Sequence, residues 1–370
     1  MSAPPGPTLQ GRIVVFSPDD HTIRRVTGSG PDTTITADAV VADLSPDRKT
    51  LAYVKQDTQL VLRNLASGAE QTITISADHA GLNVAPGCLH WSPDGRRLDF
   101  IAVQDGGLYV TTPAGVATRV DAPKHATYVQ SNGKFIFGPP DPGAPTFAAT
   151  SQLTCGQWLD TRRLVFDRVA KMPSVITVEQ GKPAEVPPDT TTVAILAPIR
   201  LIDSPQRWVV HDRCGTRILS RLYKDASITE YTEYVLDTTK LGDGDLARPG
   251  AVAPASGKLP TVEDNAFIAD SCDVLVIDAC DHSTDERCVT KRYSSRTGVV
   301  QDLSSYDLHR GLVSPHLVAP GTAAWNPAGT QFATVGEGSV YLNDLGTGAS
   351  TLVPGDRGGG YRQILGWLPD

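Results

Sequence analysis

Several features that would define a function are missing from this sequence. It has no apolar run near the 18 residues that a membrane-spanning helix needs. It has no Gly-Xaa-Ser-Xaa-Gly nucleophile motif and neither of the metal-binding patterns His-Glu-Xaa-Xaa-His and Cys-Xaa-Xaa-Cys. Basic runs are absent and the formal net charge is −8, which disfavours nucleic acids and anionic membranes because both require a cationic surface. We therefore expect no membrane span, no nucleic-acid partner, no metal and no cofactor.

What the sequence does contain is an internal repeat. Its clearest copy is His90-Trp91-Ser92-Pro93-Asp94-Gly95, which is followed by short apolar stretches at 97–101, 107–110 and 117–120. A second copy at 41–47 is followed by stretches at 50–54, 60–63 and 71–75. Turn residues separate the stretches, so each copy predicts four short strands. Four strands per repeat is the sheet, or blade, of a β-propeller.

Weaker copies complete the pattern. The anchor positions, where the first strand of each copy ends, are 44, 91, 158, 203, 270, 325 and 367. The copy at 203 is Ile202-Asp203-Ser204-Pro205, before a predicted strand at 207–210. We expect an all-β, seven-bladed propeller, with eight or six blades as alternatives. The spacing varies between about 42 and 67 residues where a blade needs about 40 to 45, so proline- and glycine-rich loops are expected within 122–150 and 240–260. Residues 128–137 alternatively form an eroded extra blade.

The two ends of the chain supply parts of one repeat. Residues 365–370 read as another anchor, and residues 12–16 read as the strand that follows it. We therefore predict that 361–370 form the innermost strand of a composite blade whose other strands lie within 11–36. Such pairing closes a propeller and removes exposed sheet edges.

The Trp-Ser-Pro-Asp-Gly turn followed by an apolar strand resembles the repeats of TolB-like, or PD40 (WD40-like), propellers, over residues 9–370. The resemblance implies a periplasmic or secreted bacterial propeller that often acts as a protein-interaction module. Residues 1–8 read as a flexible tether before this single domain. We expect a periplasmic or secreted protein, with a cytoplasmic location as the alternative.

Six cysteines support an oxidising compartment. Cys280 and Cys288 bracket a polar loop between two predicted adjacent strands, so they are the first predicted disulfide, and Cys88 with Cys155 is the second. Cys214 and Cys272 map to opposite ends of their strands. Either they are free or the predicted register of the sixth blade is wrong.

Candidate site residues come from the loops that surround one mouth of a propeller channel, because unrelated blades converge there. The tryptophans at 91, 158, 325 and 367 occupy the repeat position and are assigned to the core. The predicted mouth residues are His79, Asp105, Arg168, Lys171, His211, Asp212, Arg213, Asp281, His282, Asp285, Glu286 and Glu337.

Three functions fit this pattern. The first is a non-catalytic module that binds a protein or peptide through the mouth loops. The second is a propeller lyase or hydrolase acting on a sugar or another small molecule through histidine and carboxylate groups. The third is a ligand-sensing domain of a larger receptor. A mostly acidic rim at 281–287, beside 211–213, would suit a cationic ligand or a basic protein patch.

Overall fold

A computed structural model gives the structure of the chain. It describes residues 8–28, 30–55, 59–73, 84–102, 107–113, 117–119, 127–131, 134–138, 147–148, 157–167, 200–204, 208–223, 231–242, 264–268, 271–280, 287–307, 323–336, 339–344, 346–347, 349–353 and 363–368. Across these ranges, no helix has the length and apolar character needed to span a membrane.

The regular elements of the described residues are all β-strands. The first fourteen are β1 Arg12–Ser17, β2 Thr22–Thr27, β3 Thr33–Thr36, β4 Ala39–Leu44, β5 Thr50–Lys55, β6 Gln59–Asn64, β7 Glu70–Ile73, β8 Val84–Trp91, β9 Leu98–Ala102, β10 Gly107–Thr111, β11 Thr118–Arg119, β12 Thr127–Ser131, β13 Lys134–Gly138 and β14 Phe147–Ala148. The others are β15 Gln157–Trp158, β16 Arg163–Asp167, β17 Arg200–Ser204, β18 Trp208–Cys214, β19 Arg217–Tyr223, β20 Tyr231–Asp237, β21 Asp264–Phe267, β22 Val274–Cys280, β23 Arg287–Tyr293, β24 Val300–Asp307, β25 Ala323–Trp325, β26 Gln331–Gly336, β27 Ser339–Asp344, β28 Ser350–Leu352 and β29 Gln363–Leu368.

The described strands form eight sheets of three or four strands. We call them the terminal sheet (β29, β1, β2, β3), the second (β4–β7), the third (β8–β11), the inserted sheet (β12–β14), the fourth (β15–β17), the fifth (β18–β20), the sixth (β21–β24) and the seventh (β25–β28). Neighbouring strands are antiparallel, except that β16 and β17 are parallel. Short antiparallel strands joined by tight turns are what the repeat predicts.

The predicted pairing of the chain's two ends is confirmed for the described residues. β29 pairs antiparallel with β1, with Leu368 opposite Arg12 and Trp367 opposite Ile13. Trp367 is fully buried, and its indole Nε1 donates a hydrogen bond to the carbonyl of Gln10 at 2.6 Å. A strand from one end of the chain therefore completes a sheet built from the other end.

Apolar clusters lie between sheets, and β1 shows how the sequence produces them. Ile13 and Val15 belong to a cluster shared with the seventh sheet, whereas Val14 and Phe16 belong to a cluster shared with the second. Alternate side chains of a strand point to opposite faces, so the apolar run Ile13–Phe16 within β1 serves two interfaces. Further clusters join the second sheet to the third, the fourth to the fifth, the fifth to the sixth and the sixth to the seventh.

The repeated Ser-Pro-Asp turn has a specific hydrogen-bond pattern. In the third sheet the Ser92 hydroxyl donates to the Asp94 carboxylate at 2.7 Å, and it accepts a bond from the backbone N–H of Arg97. Gly95 takes a left-handed φ of 66°, a conformation that glycine adopts without strain. The motif therefore encodes a self-capped turn between the first and second strands of its sheet.

Two sequence predictions about strand order need correction. Residues 200–204 were expected to be the innermost strand of a four-stranded blade, but β17 instead pairs in parallel with β16. The first strand of the fifth sheet is β18, which continues to Cys214. β12, β13 and β14, within residues 127–148, form the separate inserted sheet, so the strands expected at 128–137 are present, and whether they make an extra blade stays a prediction. The proline-rich stretch 139–145, predicted as a loop, lies outside the described residues.

The predicted core role of the repeat tryptophans is confirmed. Trp91, Trp158, Trp325 and Trp367 are all at most 8% exposed. Trp325 packs on Phe332 with ring centroids 4.7 Å apart. The four rings are therefore used between strands and not as an open stacking surface.

Candidate functional site

Asp43 near the end of β4 connects the second sheet to the third. Its Oδ2 accepts a hydrogen bond from the backbone N–H of Trp91 at 2.7 Å, and its Oδ1 accepts one from the N–H of Leu44 at 2.9 Å. The indole Nε1 of Trp91 donates in return to the Asp43 carbonyl at 3.3 Å. Both carboxylate oxygens are therefore engaged by backbone.

Asp212 makes the same arrangement between the fifth and sixth sheets. Its Oδ2 accepts from the N–H of Phe267 at 2.6 Å and its Oδ1 from the N–H of Arg213 at 2.7 Å. Phe267 ends β21 as Trp91 ends β8, so β18 occupies in its sheet the position that β4 occupies in the second. Arg213 follows Asp212 as Leu44 follows Asp43, so the anchor of the fifth sheet lies near 213. The predicted anchor at 203 was therefore wrong.

Gln157 forms a third connection of this kind. Its side-chain Oε1 accepts a hydrogen bond from the backbone N–H of Val210 in β18, which joins the fourth sheet to the fifth. We call Asp43, Gln157 and Asp212 the latch residues. Asp43 and Gln157 directly precede the last residue of a first strand, and Asp212 lies two residues before the end of β18. Each reaches the first strand of the next sheet. In the sequence these positions are polar residues beside an anchor, and no contact between sheets was predicted from them.

Burial changes the acidity of two latch residues. Desolvation raises the pKa of both Asp43 and Asp212 to about 6, although backbone hydrogen bonds oppose the shift. Near Asp43 the charge of His90 also opposes the rise, and Asp99 adds to it. The two carboxyl groups therefore titrate inside the pH range in which many proteins are most stable.

Asp99 and His90 extend this polar cluster. They lie directly opposite each other on β9 and β8, with His90 Nδ1 3.7 Å from Asp99 Oδ2. Asp99 is fully buried, and burial raises its pKa. A ligand in solvent cannot reach a carboxylate so placed. The cluster of Asp43, His90 and Asp99 is therefore suited to controlling stability with pH rather than to open-site chemistry.

Arg213 lies in β18 and was predicted to be a mouth residue. Its guanidinium donates to the carbonyls of Leu159 and Trp158 at the end of the fourth sheet's first strand. Burial lowers its pKa to about 10. Arg163 in turn pairs with Asp160 at 2.7 Å. Arg213 thus provides, beside Gln157, a second connection between the fourth sheet and the fifth.

A disulfide joins Cys214 to Cys272, with their Cα atoms 5.4 Å apart. The expectation that these residues lie at opposite ends of their strands was wrong, because it depended on the incorrect anchor at 203. Cys214 ends the first strand of the fifth sheet, and Cys272 lies in the turn after the first strand of the sixth. The end of β18 and the turn that follows β21 are therefore in contact, although Cys272 lies five residues beyond Phe267, the last residue of β21.

The other predicted disulfides are less completely described. Cys280 and Cys288 lie directly opposite each other in the β22–β23 register. The Cα atoms of opposite residues in an antiparallel pair are about as far apart as those of bridged cysteines. Their side chains are not among those described, so their bond stays a prediction. Cys88 is disulfide-bonded, and Cys155, its predicted partner, lies outside the described residues.

Few of the predicted mouth residues are among the described ones, so their arrangement around a channel mouth stays a prediction. His211, Asp212 and Arg213 lie within β18 and not in a loop. Asp212 contacts Phe267, opposite the first residue of β22, whereas 281–286 follow the last residue of β22. Residues 281–286 themselves lie outside the described residues, so the expected neighbourhood of the two sets stays a prediction. The side chain of His211 is not described, and these predicted residues lie outside the described ones: His79, Asp105, Arg168, Lys171, Asp281, His282, Asp285, Glu286 and Glu337.

No protein-family model matches the sequence, and no curated protein matches it. Several solved structures resemble it at low identity. A functionally unknown protein from Desulfotomaculum acetoxidans is 10% identical with a TM-score of 0.46, over 97% of this chain and 100% of that chain. The structure of "putative TolB" from Agrobacterium tumefaciens is 10% identical with a TM-score of 0.39, over 97% and 99%. The Cps50 (Swd1) β-propeller domain from Myceliophteria thermophila is 13% identical with a TM-score of 0.38, over 88% and 89%. A TolB and a propeller domain are thus among the structures that this all-β chain resembles.

Proposed function

We propose that the chain is a seven-bladed propeller, spanning residues 9–370 and closed by the pairing of β29 with β1. The support is the succession of contacts between sheets. Shared apolar clusters or hydrogen bonds link the terminal sheet to the second, each numbered sheet to the next, and the seventh back to the terminal sheet. Arg97 of the third sheet donates to the carbonyl of Thr161 beside the fourth, so the inserted sheet is not needed as a blade between them.

We further infer that this propeller is an extracytoplasmic module that binds a protein or peptide through its channel-mouth loops. The observation that carries this proposal is the use of the latch residues. Asp43 and Asp212 are acid–base candidates by pKa, yet their carboxylate oxygens accept backbone N–H groups of the next sheet. These carboxylates therefore hold neighbouring sheets in register and do not face a substrate. Such a role suits a rigid propeller that supports binding loops. The Cys214–Cys272 disulfide supports an oxidising location.

The experiment is a pull-down from an envelope extract with the full chain as bait, repeated with the triple variant Asp281→Ala, Asp285→Ala and Glu286→Ala. We expect the variant to fold normally, because surface substitutions change stability by about 0.5 kcal/mol or less. We expect it to lose a partner in low salt that the wild type retains, since exposed charges act through screened electrostatics. An identical set of partners for both proteins at low salt would remove this loop from the proposal.

A further inference from the structure

Three neighbouring turns carry a basic residue at the same position. These turns follow the first strands of the second, third and fourth sheets, and they read Asp47-Arg48-Lys49, Asp94-Gly95-Arg96 and Asp160-Thr161-Arg162. Lys49, Arg96 and Arg162 are all exposed. Within the described part of the chain, none of these three side chains makes a hydrogen bond or an ion pair with the protein. We call Lys49, Arg96 and Arg162 the basic arc.

The three turns form one continuous surface. A Cβ atom at Gly95 would lie 3.6 Å from Pro46 Cδ, so the second and third sheets' turns touch. The guanidinium of Arg97 donates to the carbonyl of Thr161, which joins the third sheet's turn to the fourth's. The arc is therefore held by contacts between turns.

The carboxylates of the same turns are used inside them. Asp47 accepts hydrogen bonds from the Ser45 hydroxyl at 2.6 Å and from the N–H of Lys49 at 3.1 Å. Asp94 repeats this pattern with Ser92 and the N–H of Arg96. The acidic groups thus cap the turns, whereas the basic side chains are exposed, and the charge of Lys49 acts on Asp47 of its own turn. The surface charge of the arc is positive on a chain whose net charge is −8.

The positive surface continues onto the terminal sheet. Arg25 donates to the carbonyl of Leu65 at 3.2 Å, and the N–H of Leu65 donates to the carbonyl of Lys49. Burial lowers the pKa of Arg25, and the nearby charges of Arg12 and Arg63 add to this effect. The buried Arg25 Nε has no hydrogen-bond partner. Arg63 is already paired with Glu70 at 2.7 Å, so an external anion would chiefly stabilise the charge of Arg25.

We propose that the basic arc is a docking surface for an acidic segment of a partner protein. Charge complementarity assigns the partner chemistry. A short acidic segment fits better than a long polyanion, because a nucleic acid or polysulfate would extend over the rest of a strongly acidic molecule. The arc lies at the ends of the first strands. The channel-mouth loops follow the second strands, which run antiparallel to the first, so this surface is separate from the proposed mouth.

The test measures binding of a fluorescein-labelled oligoglutamate peptide by fluorescence anisotropy. The arc variant is Lys49→Glu with Arg96→Glu, and the matched control is Lys240→Glu with Arg296→Glu. Both control residues are exposed and lie outside the arc, and each double variant changes the net charge from −8 to −12. At low ionic strength we expect the arc variant to weaken binding by about tenfold and the control by about twofold or less. Adding Arg162→Glu should weaken binding further.

Equal losses in the two variants would overturn the proposal, because only the net charge would then matter. So would undetectable binding of the peptide by the wild type at low salt, or tighter binding of a heparin fragment than of oligoglutamate. Thermal melting checks that each variant folds. If the arc variant does not fold, Lys49→Gln with Arg96→Gln replaces it with the same expectation. None of these measurements involves the mouth loops, so this proposal can fail while the proposed function stands.

Discussion

At the contact between the fifth and sixth sheets a disulfide and a carboxylate hold two segments together, whereas at the contact between the chain's two ends strand pairing and apolar packing do so. The first contact has the Cys214–Cys272 bond and the Asp212 latch. The second has the β29–β1 ladder and the buried Trp367. Both contacts join residues that are distant in sequence, the first between two sheets and the second within one sheet.

The difference appears at a single repeat position. Asp43, Gln157 and Asp212 stand directly before their anchors and reach the next sheet with a polar side chain. The corresponding residue of β29 is Gly366, where a Cβ atom would lie 2.6 Å from Leu44 Cδ2. The end of the chain therefore packs directly against the second sheet without a latch. At this position, therefore, a polar side chain bonds to the next sheet in three first strands, and glycine lets β29 approach Leu44 closely.

The largest expected effect is on the terminal contact. Deleting residues 361–370 removes β29, including the buried Ile364, Trp367 and Leu368. We expect a loss of stability on the order of 5 kcal/mol or more and aggregation through the exposed edge of β1. Thermal melting and light scattering measure both effects. Deleting only residues 369–370 is the control, and a truncated protein that melts like the full chain would show that the two ends do not close the fold.

Removing the disulfide between the fifth and sixth sheets should destabilise the protein less than removing β29. Replacing Cys214 and Cys272 together by serine opens a loop with a sequence separation of 58 residues. The chain-entropy relation assigns about 4 kcal/mol to such a loop. Chemical denaturation should show this loss while the folded spectrum is retained, because Asp212 still bonds to Phe267. The wild type under reducing conditions should lose at least this amount, because the disulfide of Cys88 is reduced as well. A reduced wild type as stable as the oxidised one would contradict the prediction.

The sequence predicted strands and termini better than it predicted the site. The Ser-Pro-Asp turns and the four tryptophans are local signals, so they located the second, third and seventh sheets and the composite terminal sheet. The fifth sheet was placed wrongly because its turn, Arg213-Cys214-Gly215-Thr216, lacks the serine and the proline. The latch residues were missed for another reason. Hydrogen bonds between Asp43 and Trp91, or Asp212 and Phe267, depend on which sheets become neighbours, and a local pattern does not contain that information.

The latch carboxylates should make stability depend on pH. The pKa of Asp43 and of Asp212 is about 6 in the folded protein, above the ordinary value of 3.8. The folded state therefore binds more protons than the unfolded state between about pH 4 and pH 6, and stability falls as the pH rises through this window. Each group contributes up to about 3 kcal/mol to this fall.

The measurement compares denaturation midpoints of the wild type, Asp43→Asn and Asp212→Asn across this window. An amide does not titrate, so each variant should have a flatter profile than the wild type. Asp47→Asn is the matched control, because the hydrogen bond from Ser45 lowers the pKa of Asp47. Its charged form stabilises the fold, and that stabilisation is lost as the pH falls. If both latch variants show the same dependence of the denaturation midpoint on pH as the wild type, the two carboxyl groups have ordinary pKa values in the folded protein.

The smallest effect concerns the glycine that replaces a latch. Gly366→Ala places a methyl group against Leu44, and overpacking of this kind costs about 1 to 3 kcal/mol. The same substitution in a Leu44→Ala background should cost less, because the shortened side chain leaves room for the methyl group. Chemical denaturation of the four proteins gives the coupling energy directly. If alanine at 366 costs the same in both backgrounds, close packing of β29 on β4 is not the reason for glycine at this position, and the contrast between latched and unlatched contacts would have to rest on the polar residues alone.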